Sequence, residues 1–377
     1  MGSRDGRAMN GTVLFLDQYN QLGGAQRCLL DLLPAFLEAG YVAHLAIPGG
    51  GPLTDATQRL GVVTHSIPCS AYTPGRKGWR DAASFGADLP RQAWRIASLV
   101  SERRIDLIYV NGPRLLPAAA IGARSRHVVF HAHSVVTQQA AARLSRWALR
   151  STNATVIAAC QFVLQPLLPS IQKGRSRVIY NGVACMARAR RQRLNNNPWR
   201  IGVIGRIAPE KGQLEFIHAA RLVLREQSCE FLICGDPQFS GPKYERRVRR
   251  EAEGLPIEFT GWRNDVGEVL STLDVLVVPS AAVDATPRVI LEAFSAGVPV
   301  VAFRSGGIPE IVEDGVTGAL CAPTAPDLAA KLLELFSDGG AQLDGMSYRA
   351  RAAFSARFCL ERYRSEVLDA VQRVCSL

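Results

Sequence analysis

Short apolar runs of β-forming residues recur along the chain, and each is followed by a turn residue and then by a helical pattern. One series comprises residues 12–16, 42–47, 107–110, 128–130 and 156–159, and a second comprises residues 200–204, 230–234, 257–260, 275–279 and 299–303. Continuously apolar strands are typical of parallel sheets that are buried on both faces. The pattern therefore predicts an α/β protein in which βα units build two doubly wound sheets.

The two series are separated by residues 184–200, a basic, Asn-rich stretch without apolar periodicity. A chain of 377 residues exceeds the roughly 250–300 residues that one core accommodates. We therefore predict two Rossmann-like domains, residues 1–185 and 186–359, that face each other across a cleft. A C-terminal helix at residues 360–377 is expected to pack back on the first domain. Ligands of such sheets bind beyond the carboxyl ends of the strands, so functional residues are sought there.

The net charge of +11 favours an anionic partner. The arginines cluster at Arg143, Arg146 and Arg150, at residues 188–193 and at residues 246–250, although each cluster also fits an ordinary solvated surface. Nine cysteines without a CxxC pair predict a reducing compartment. Because neither a signal-peptide pattern nor a ~20-residue apolar run is present, we predict a cytoplasmic protein, and peripheral contact with an anionic inner leaflet stays open.

A basic loop follows the first strand of the second series. Arg206 and Lys211 lie between a strand that ends at Gly205 and a helix predicted to begin near Gln213. Two cations at a helix N-terminus would hold a diphosphate, because the backbone N–H groups there also favour anions. On this loop alone, an ordinary basic βα connection is an equally good interpretation.

Two carboxylates occur in the apolar run of residues 284–297. Asp284 precedes a helix that we predict to begin with Thr286 as its cap and Pro287 at its first position. Glu292 then lies five residues into this helix among apolar neighbours, which predicts burial. A buried carboxylate needs partners, and these are either the backbone donors of a neighbouring loop or the hydroxyl groups of a ligand such as a ribose.

Glycine pairs mark two further turns. Gly23 and Gly24 precede a helix and allow the backbone to approach an acceptor or phosphate, although two glycines are also common in a helix-start turn. The Gly306–Gly307 turn likewise allows close approach to a ligand, with Glu310 as a candidate partner of the site.

Histidines 127, 131 and 133 would share one face of a continuous strand. A metal triplet is excluded because His127 and His131 would be about 13 Å apart at about 3.3 Å per residue. His131 and His133 alone would make a weak site, and a buried histidine with a satisfied hydrogen bond is the alternative for either. No metal site is predicted.

Several motifs in the second half carry a family resemblance. GRIAPEKG, LEAFSAGVPVVA, GGIPEIVEDGVTG and the eight-residue spacing of Asp284 and Glu292 resemble the family-four retaining glycosyltransferases, which use nucleotide sugars and have GT-B architecture. Looser matches are LGGAQ, VIYNGV and GWRNDV. The resemblance implies two facing Rossmann-like domains, with the acceptor on the first and the donor on the second.

The resemblance also implies individual roles. Glu292 would bind the donor ribose, and Asp284 would stand for a Glu that contacts sugar hydroxyls. The family's histidine beside the sugar matches His133 better than His131. Arg206 and Lys211 match the residues that neutralise the leaving diphosphate. Implied donor-binding residues are Arg206, Lys211, Arg263, Asp284, Thr286, Arg288, Val289 and Glu292, and the implied catalytic residues are His133, Asp284, Arg206 and Lys211.

Two departures from the family pattern concern the donor site. Asp284 is one methylene shorter than the usual Glu, which changes its reach toward the sugar. Pro287 replaces a common Gly and has no backbone N–H, so Thr286 and Arg288 would have to supply those donors.

The predicted activity is transfer of a sugar from a nucleoside diphosphate to an acceptor hydroxyl, with retention and without a cofactor. The chain contains no Asp-x-Asp sequence, which fits diphosphate stabilisation by Arg206 and Lys211 rather than by a metal. A GT-B phosphorylase or epimerase, and a non-catalytic module that binds nucleic acid or an anionic membrane, are the alternatives. Nucleic acid is not expected as a partner, because aromatic residues do not interleave with the arginines. The base, the sugar, the acceptor and the oligomeric state are not encoded in readable motifs.

Overall fold

The computed structural model describes residues 10–70, 78–186, 197–237, 242–280 and 284–375. The chain forms two compact units. Unit 1 contains the described residues up to Tyr180 together with those from Glu361 onward, and unit 2 contains Asn181–Leu360. The first division falls a few residues before the predicted boundary at residue 185. Most of the predicted linker, including the basic cluster at residues 188–193, lies outside the described residues.

Unit 1 is built on a seven-stranded parallel sheet in the order β3-β2-β1-β4-β5-β6-β7. The sheet extends in both directions from β1, so the strand order reverses between β1 and β4. This reversal is the switch point at which ligands bind in doubly wound sheets. The strands are β1 (Thr12–Leu16), β2 (Val42–Ile47), β3 (Val63–Ser66), β4 (Leu107–Val110), β5 (His127–Ala132), β6 (Thr155–Ala158) and β7 (Ser176–Val178).

The connecting helices cover the sheet. Residues 13–16 of β1 have no exposed surface, because both sheet faces are packed, as expected for a continuously apolar strand. The helices that precede unit 2 in the sequence are α1 (Gly24–Glu38), α2 (Pro52–Arg59), α3 (Trp79–Glu102), α4 (Leu116–Gly122), α5 (Gln139–Thr152) and α6 (Gln161–Leu164), followed by a 3₁₀ turn at Gln165–Ser170.

Unit 2 repeats this plan with a six-stranded parallel sheet in the order β10-β9-β8-β11-β12-β13, whose switch point lies between β8 and β11. The strands are β8 (Trp199–Ile204), β9 (Cys229–Cys234), β10 (Ile257–Gly261), β11 (Val275–Val278), β12 (Val300–Phe303) and β13 (Ala319–Cys321). The helices are α7 (Gln213–Val223), α8 (Pro242–Glu251), α9 (Val266–Ser271), α10 (Arg288–Ala296), α11 (Ile308–Ile311), α12 (Ala325–Phe336) and α13 (Ala341–Arg357).

The last helix, α14 (Leu360–Cys375), lies in unit 1 from Glu361 onward. Arg362 donates to the carbonyl of Tyr180, and Arg364 Nε donates to the carbonyl of Asp31 at 2.6 Å. The buried ring of Tyr363 lies 6.2 Å from that of His131, centroid to centroid. None of the described helices combines the length and apolar composition needed to cross a bilayer.

The predicted fold class of two Rossmann-like parallel sheets is confirmed. Three strands were not predicted, namely β3, β7 and β13, and each is an edge strand. β3 and β7 are partly exposed and therefore lack a continuous apolar run, and β13 has only three residues. Strand β5 ends at Ala132, so His133 lies beyond it and not on the strand.

Candidate active site

A buried polar network occupies the switch point of unit 1. Asp17 follows β1 and Asn111 follows β4, and Asn111 Nδ2 donates to Asp17 Oδ2 at 2.6 Å. Gln26 on α1 donates through Nε2 to both oxygens of the same carboxylate, at 2.9 and 3.0 Å. The amide of Tyr19 adds a fourth hydrogen bond at 2.9 Å. The Asp17 carboxylate is therefore fixed from three segments of the chain.

Asp17 has no exposed surface. Burial raises the pKa of its carboxyl group from 3.8 to about 6, although the hydrogen bonds from Asn111, Tyr19 and Gln26 act in the opposite direction. Desolvation dominates because removing a carboxylate from water disfavours its charged form. This group was not predicted as functional, but its position directly after the first strand of a doubly wound sheet was a signal that could have found it.

His133 joins this network through Asn111. The distance from His133 Nε2 to Asn111 Oδ1 is 2.8 Å. Because the Asn111 amide nitrogen donates to Asp17, its oxygen faces the imidazole and must accept. His133 Nε2 therefore carries a proton, and the orientation of the ring is set by Asp17 through one carboxamide.

His131 is positioned differently from His133. It has no exposed surface, its Nδ1 lies 2.6 Å from the Tyr109 hydroxyl, and its ring lies 3.9 Å from that of His133, centroid to centroid. Burial lowers the pKa of His131 well below its usual value, so the ring is neutral and shares one hydrogen bond with the Tyr109 hydroxyl. His127 begins β5, whereas His131 and His133 lie at its carboxyl end. The arrangement makes His131 a packing partner of His133.

The Gly23–Gly24 turn begins α1 in unit 1. The Gly23 N–H donates to Gln26 Oε1 at 3.2 Å, and α1 begins at Gly24. The Gly23 N–H is thus already used in capping α1. A Cβ added at Gly24 would meet no atom within 4 Å. Gly24 retains the open approach that was predicted for the pair.

A cavity of about 750 Å³ lies beside this network in unit 1. Its wall is formed by residues that follow the carboxyl ends of β1, β4 and β5 and by the N-terminal parts of α3 and α5. The cationic side chain that lines it, Arg114, is paired with Asp88 at 3.4 Å and donates to the Ser70 carbonyl at 2.9 Å. Apolar lining comes from Ala82, Phe85, Pro113, Pro117, Val135, Val136, Ala140, Ala141 and Leu144.

In unit 2, the structure brings Lys211 and Asp284 together as an ion pair in which Lys211 Nζ donates to Asp284 Oδ2. Lys211 ends the 3₁₀ turn Pro209–Lys211 that follows β8, and Asp284 lies in the segment between β11 and α10. The side chains are 24% and 19% exposed, so a ligand can reach both. Two residues that sequence reasoning assigned to phosphate and sugar therefore meet at the unit 2 switch point.

Arg206 lies on the same loop as Lys211 and pairs with Glu210 at 3.1 Å, with its side chain 31% exposed. Gln213, at the first position of α7, secures the loop from inside. Its Nε2 donates to the Arg206 carbonyl at 2.7 Å, and its Oε1 accepts from the Ala208 amide at 3.3 Å. Gln213 has no exposed surface and was predicted only as a helix start, not as the residue that holds the basic loop.

Two glycines place the ion pair by close backbone contact. Gly212 has φ +70°, and a Cβ there would lie 1.9 Å from the Pro279 carbonyl oxygen. Gly306 has φ +55°, and a Cβ there would lie 2.1 Å from the Asp284 carbonyl oxygen, which also accepts from the Gly307 amide at 3.0 Å. The predicted close approach at Gly306 and Gly307 is thus made to Asp284 itself. Only glycine combines these dihedrals with this spacing.

The start of α10 differs from the prediction. The helix begins at Arg288 with Pro287 in the cap position, and Thr286 does not cap it. The Thr286 hydroxyl instead accepts from Asn181 Nδ2 at 2.7 Å. Proline has no backbone N–H, and none is required at the cap position. The helix therefore starts one residue later than predicted and remains intact. Arg288 and Val289 take the first two helical positions, where amides point out of the helix end.

Glu292 is less buried than predicted, since its side chain is 15% exposed. Its Oε1 lies 3.8 Å from Arg288 Nε, one turn earlier on α10. The prediction of full burial was wrong, because the helix face that carries both charges retains some exposure, with the Arg288 side chain 14% exposed. The carboxylate has an arginine beside it and remains accessible to a ligand.

The two remaining predicted residues, Arg263 and Glu310, contact other parts of unit 2. Arg263, in the loop after β10, donates through Nε to Asp265 Oδ1 at 2.7 Å, and both side chains are more than two-fifths exposed. Glu310 lies on α11, where its carbonyl accepts from Arg357 at 3.1 Å. Over the described ranges, no three His, Cys, Asp or Glu side chains cluster in a way that would hold a metal ion.

The sequence matches two family models. Residues 22–185 match "Glycosyltransferase Family 4", and residues 198–338 match "Glycosyl transferases group 1". Together the two models cover most of the chain, which therefore belongs to the family-four glycosyltransferases, and the predicted family is confirmed.

Named relatives match a part of the chain. It is 36% identical to sulfoquinovosyl transferase SQD2 of Arabidopsis thaliana over 141 residues, which is 36% of this chain and 26% of the relative. It is 31% identical to alpha-D-kanosaminyltransferase of Streptomyces kanamyceticus over 139 residues, or 36% of each chain. The matched segments thus span about a quarter to a third of the lengths of these relatives.

Solved structures match nearly the whole chain in fold. HepE of Anabaena, in complex with UDP-glucose, has a TM-score of 0.80 at 23% identity and covers 97% of this chain and 100% of its own. Sucrose-phosphate synthase of Thermosynechococcus elongatus has a TM-score of 0.78 at 18% identity, covering 97% and 100%. Such identities establish the fold alone.

Proposed function

We propose that the protein transfers a sugar from a nucleoside diphosphate to an acceptor hydroxyl, with retention at the anomeric carbon and without a metal. The observation that carries the proposal is the Lys211–Asp284 ion pair at the switch point of unit 2, with Arg206 on the same loop. Cations placed there are suited to a diphosphate, and a carboxylate is suited to sugar hydroxyls.

The ion pair has a role before the donor binds. Lys211 and Asp284 neutralise each other in the unliganded protein, which limits the desolvation penalty of each charge. When a donor enters, the ammonium turns to the diphosphate oxygens and the carboxylate accepts from the hydroxyl groups of the sugar. Both groups already lie within hydrogen-bonding reach of one point, so little reorganisation is needed.

Glu292 and the start of α10 would hold the nucleoside. The carboxylate is accessible and accepts from two vicinal hydroxyls, which matches a ribose. The outward amides of Arg288 and Val289 and the positive end of the helix favour a phosphate oxygen nearby. HepE, which shares the fold, is described in complex with UDP-glucose, so UDP is the first nucleotide to test.

In the transfer, the bond from the anomeric carbon to the diphosphate oxygen breaks and the acceptor oxygen bonds to the same face of that carbon. The acceptor proton passes to the departing diphosphate oxygen. The negative charge on the leaving group is largest as the bond breaks, before that proton arrives. Lys211 and Arg206 stabilise that charge. His133, assigned to the sugar by the family resemblance, is held in one orientation by Asn111.

The eight free cysteines among the described side chains support the proposal of a reducing, cytoplasmic location.

The test begins with thermal-shift measurements on the purified protein against uridine, guanosine, adenosine and thymidine diphosphates. A selective shift identifies the base, because ligand binding stabilises the folded state by mass action. Release of that diphosphate from its sugar conjugates is then measured. The Lys211→Ala variant should lose about 10²–10³-fold in kcat/KM, the usual effect of removing one group that stabilises developing charge.

A matched control is available in Lys331, which also forms an ion pair, with Glu334 at 2.6 Å on α12. Lys331→Ala should retain wild-type kcat/KM. Full activity in Lys211→Ala, or loss of activity in EDTA that Mg²⁺ restores, would contradict the assignment. Phosphate-dependent release of sugar 1-phosphate would instead identify a phosphorylase.

A further inference from the structure

The charge of this protein is distributed very unevenly. Residues 107–209 contain fifteen lysines and arginines and no aspartate or glutamate. This stretch therefore carries more positive charge than the net +11 of the whole chain. Nine of the fifteen lie at residues 107–180 in unit 1, which form β4 to β7 with their connections, so these elements supply no carboxylates of their own to balance their arginines.

Helix α5 presents this charge as a stripe. Arg143, Arg146, Trp147 and Arg150 are spaced i, i+3, i+4 and i+7, which places them on one helical face. Arg143, Trp147 and Arg150 are exposed, and 46% of Trp147 is in contact with solvent. None of the three arginines pairs with a carboxylate anywhere in the described chain.

The same stripe borders an open concavity of about 670 Å³, which Ser151 and Pro169 complete. Arg150 donates to the Pro169 carbonyl at 3.1 Å, which fixes one arginine at the rim. Leu168, next to Pro169 in the 3₁₀ turn, is 40% exposed. The α5 surface, defined as Arg143, Arg146, Trp147, Arg150 and the turn at residues 168–169, thus combines cations with two large apolar side chains.

We propose that the α5 surface docks the protein on an anionic lipid bilayer. Arginines attract the phosphates of acidic lipids, and a tryptophan placed among them is suited to the headgroup region because its ring is apolar and its N–H is polar. A solvated helix face would be expected to intersperse carboxylates with arginines, and this face has none. Trp147 does lie among the arginines, contrary to the prediction that aromatic residues do not interleave with them. An RNA site would nevertheless need several exposed aromatic rings for stacking, and the surface provides one.

The orientation of α5 has a consequence for the acceptor. Ala141 and Leu144, which lie away from the arginine stripe on α5, line the 750 Å³ cavity of unit 1. One helix therefore faces both the bilayer and a largely apolar cavity, an arrangement suited to an acceptor that carries a lipid or other apolar group. This consequence rests on the proposed function, whereas the docking surface does not.

The experiment is co-sedimentation of the full chain with vesicles of phosphatidylcholine alone or with 30 mol% phosphatidylglycerol. Binding should require phosphatidylglycerol and weaken as salt rises. The Arg143→Glu/Arg146→Glu/Arg150→Glu variant should bind at least about 100-fold more weakly, because each arginine near the membrane surface contributes about fivefold to the affinity. Trp147→Ala should weaken binding without changing its salt dependence.

A control with the same change in charge is Arg246→Glu/Arg247→Glu/Arg250→Glu on α8 of unit 2, which should keep wild-type vesicle binding. Circular dichroism shows whether each variant is folded. Nucleotide-dependent thermal shifts test the proposed function separately, because their absence would contradict nucleotide binding without bearing on vesicle binding. Equal loss in the two triple variants would show a non-specific effect of net charge. Unchanged binding of the α5 variant, no binding of the wild type to anionic vesicles, or tighter binding to polyuridylate than to vesicles would each overturn the proposal.

Discussion

Gly212→Ala should displace Lys211, the lysine proposed to stabilise the leaving diphosphate, although the substitution adds only one methyl group. The added Cβ would lie 1.9 Å from the Pro279 carbonyl oxygen, whereas Cβ atoms essentially never approach closer than 3.0 Å. The Lys211–Gly212 backbone must therefore move by about 1 Å, and the left-handed φ of +70° adds strain of about 1–2 kcal/mol. A displacement of this size at a positioning segment reduces catalysis by about 100-fold.

Gly254→Ala separates these two effects. Gly254 has φ +77° with no atom within 4 Å of an added Cβ, so this variant has the strain without the clash. Urea unfolding should show a loss of about 1–2 kcal/mol for Gly254→Ala and about 2–5 kcal/mol for Gly212→Ala, since overpacking adds about 1–3 kcal/mol to the same strain. Diphosphate release should be normal in the first and about 100-fold lower in the second. Equal stability and equal kcat/KM in the two variants would refute the argument.

Three further results are expected. Glu292→Gln should weaken nucleotide binding by about 10–100-fold in calorimetry, because charge-assisted hydrogen bonds contribute about 1.5–3 kcal/mol; unchanged affinity would remove Glu292 from the ribose site. Asn111→Ala should lower stability by about 1–3 kcal/mol and reduce kcat more than it raises the donor KM, since His133 loses its acceptor; a purely structural role would leave kcat intact. Because burial raises the pKa of Asp17 from 3.8 to about 6, the folded protein binds this proton more tightly than the unfolded chain does. Its contribution to stability is therefore greatest below pH 4 and falls by about 3 kcal/mol as pH rises through 6; urea midpoints from pH 4 to 7 should decline less steeply in Asp17→Asn than in the wild type.

The central strands could be predicted because burial on both faces leaves a continuous apolar run, as in β1 and β11. The start of α7 at Gln213 was also predicted correctly, since a glycine and a charged turn precede it. The edge strands β3 and β7 were missed because they are partly exposed and lack a continuous apolar run. Partial exposure alone does not hide a strand, since the edge strand β10 is also partly exposed and was predicted.

The candidate site was predictable residue by residue but not as an arrangement. Lys211 and Asp284 are 73 positions apart, and their contact depends on β8 and β11 being neighbours in the sheet. Asp17 and Asn111 are 94 positions apart and meet for the equivalent reason in unit 1. The rule that ligands bind where strand order reverses would have directed attention to both pairs, but the strand order itself is a tertiary property.

Helix α14 belongs to unit 1 although unit 2 precedes it in the sequence. During synthesis, unit 2 can complete its sheet and core while unit 1 still lacks the helix that carries Tyr363 and the arginines bound to Tyr180 and Asp31. Since domains fold largely as units while the chain emerges from the ribosome, the unit that begins first would finish last. The buried surroundings of His131 would then be completed only after unit 2 has been made, so a nascent chain can fold unit 2 before unit 1 is complete.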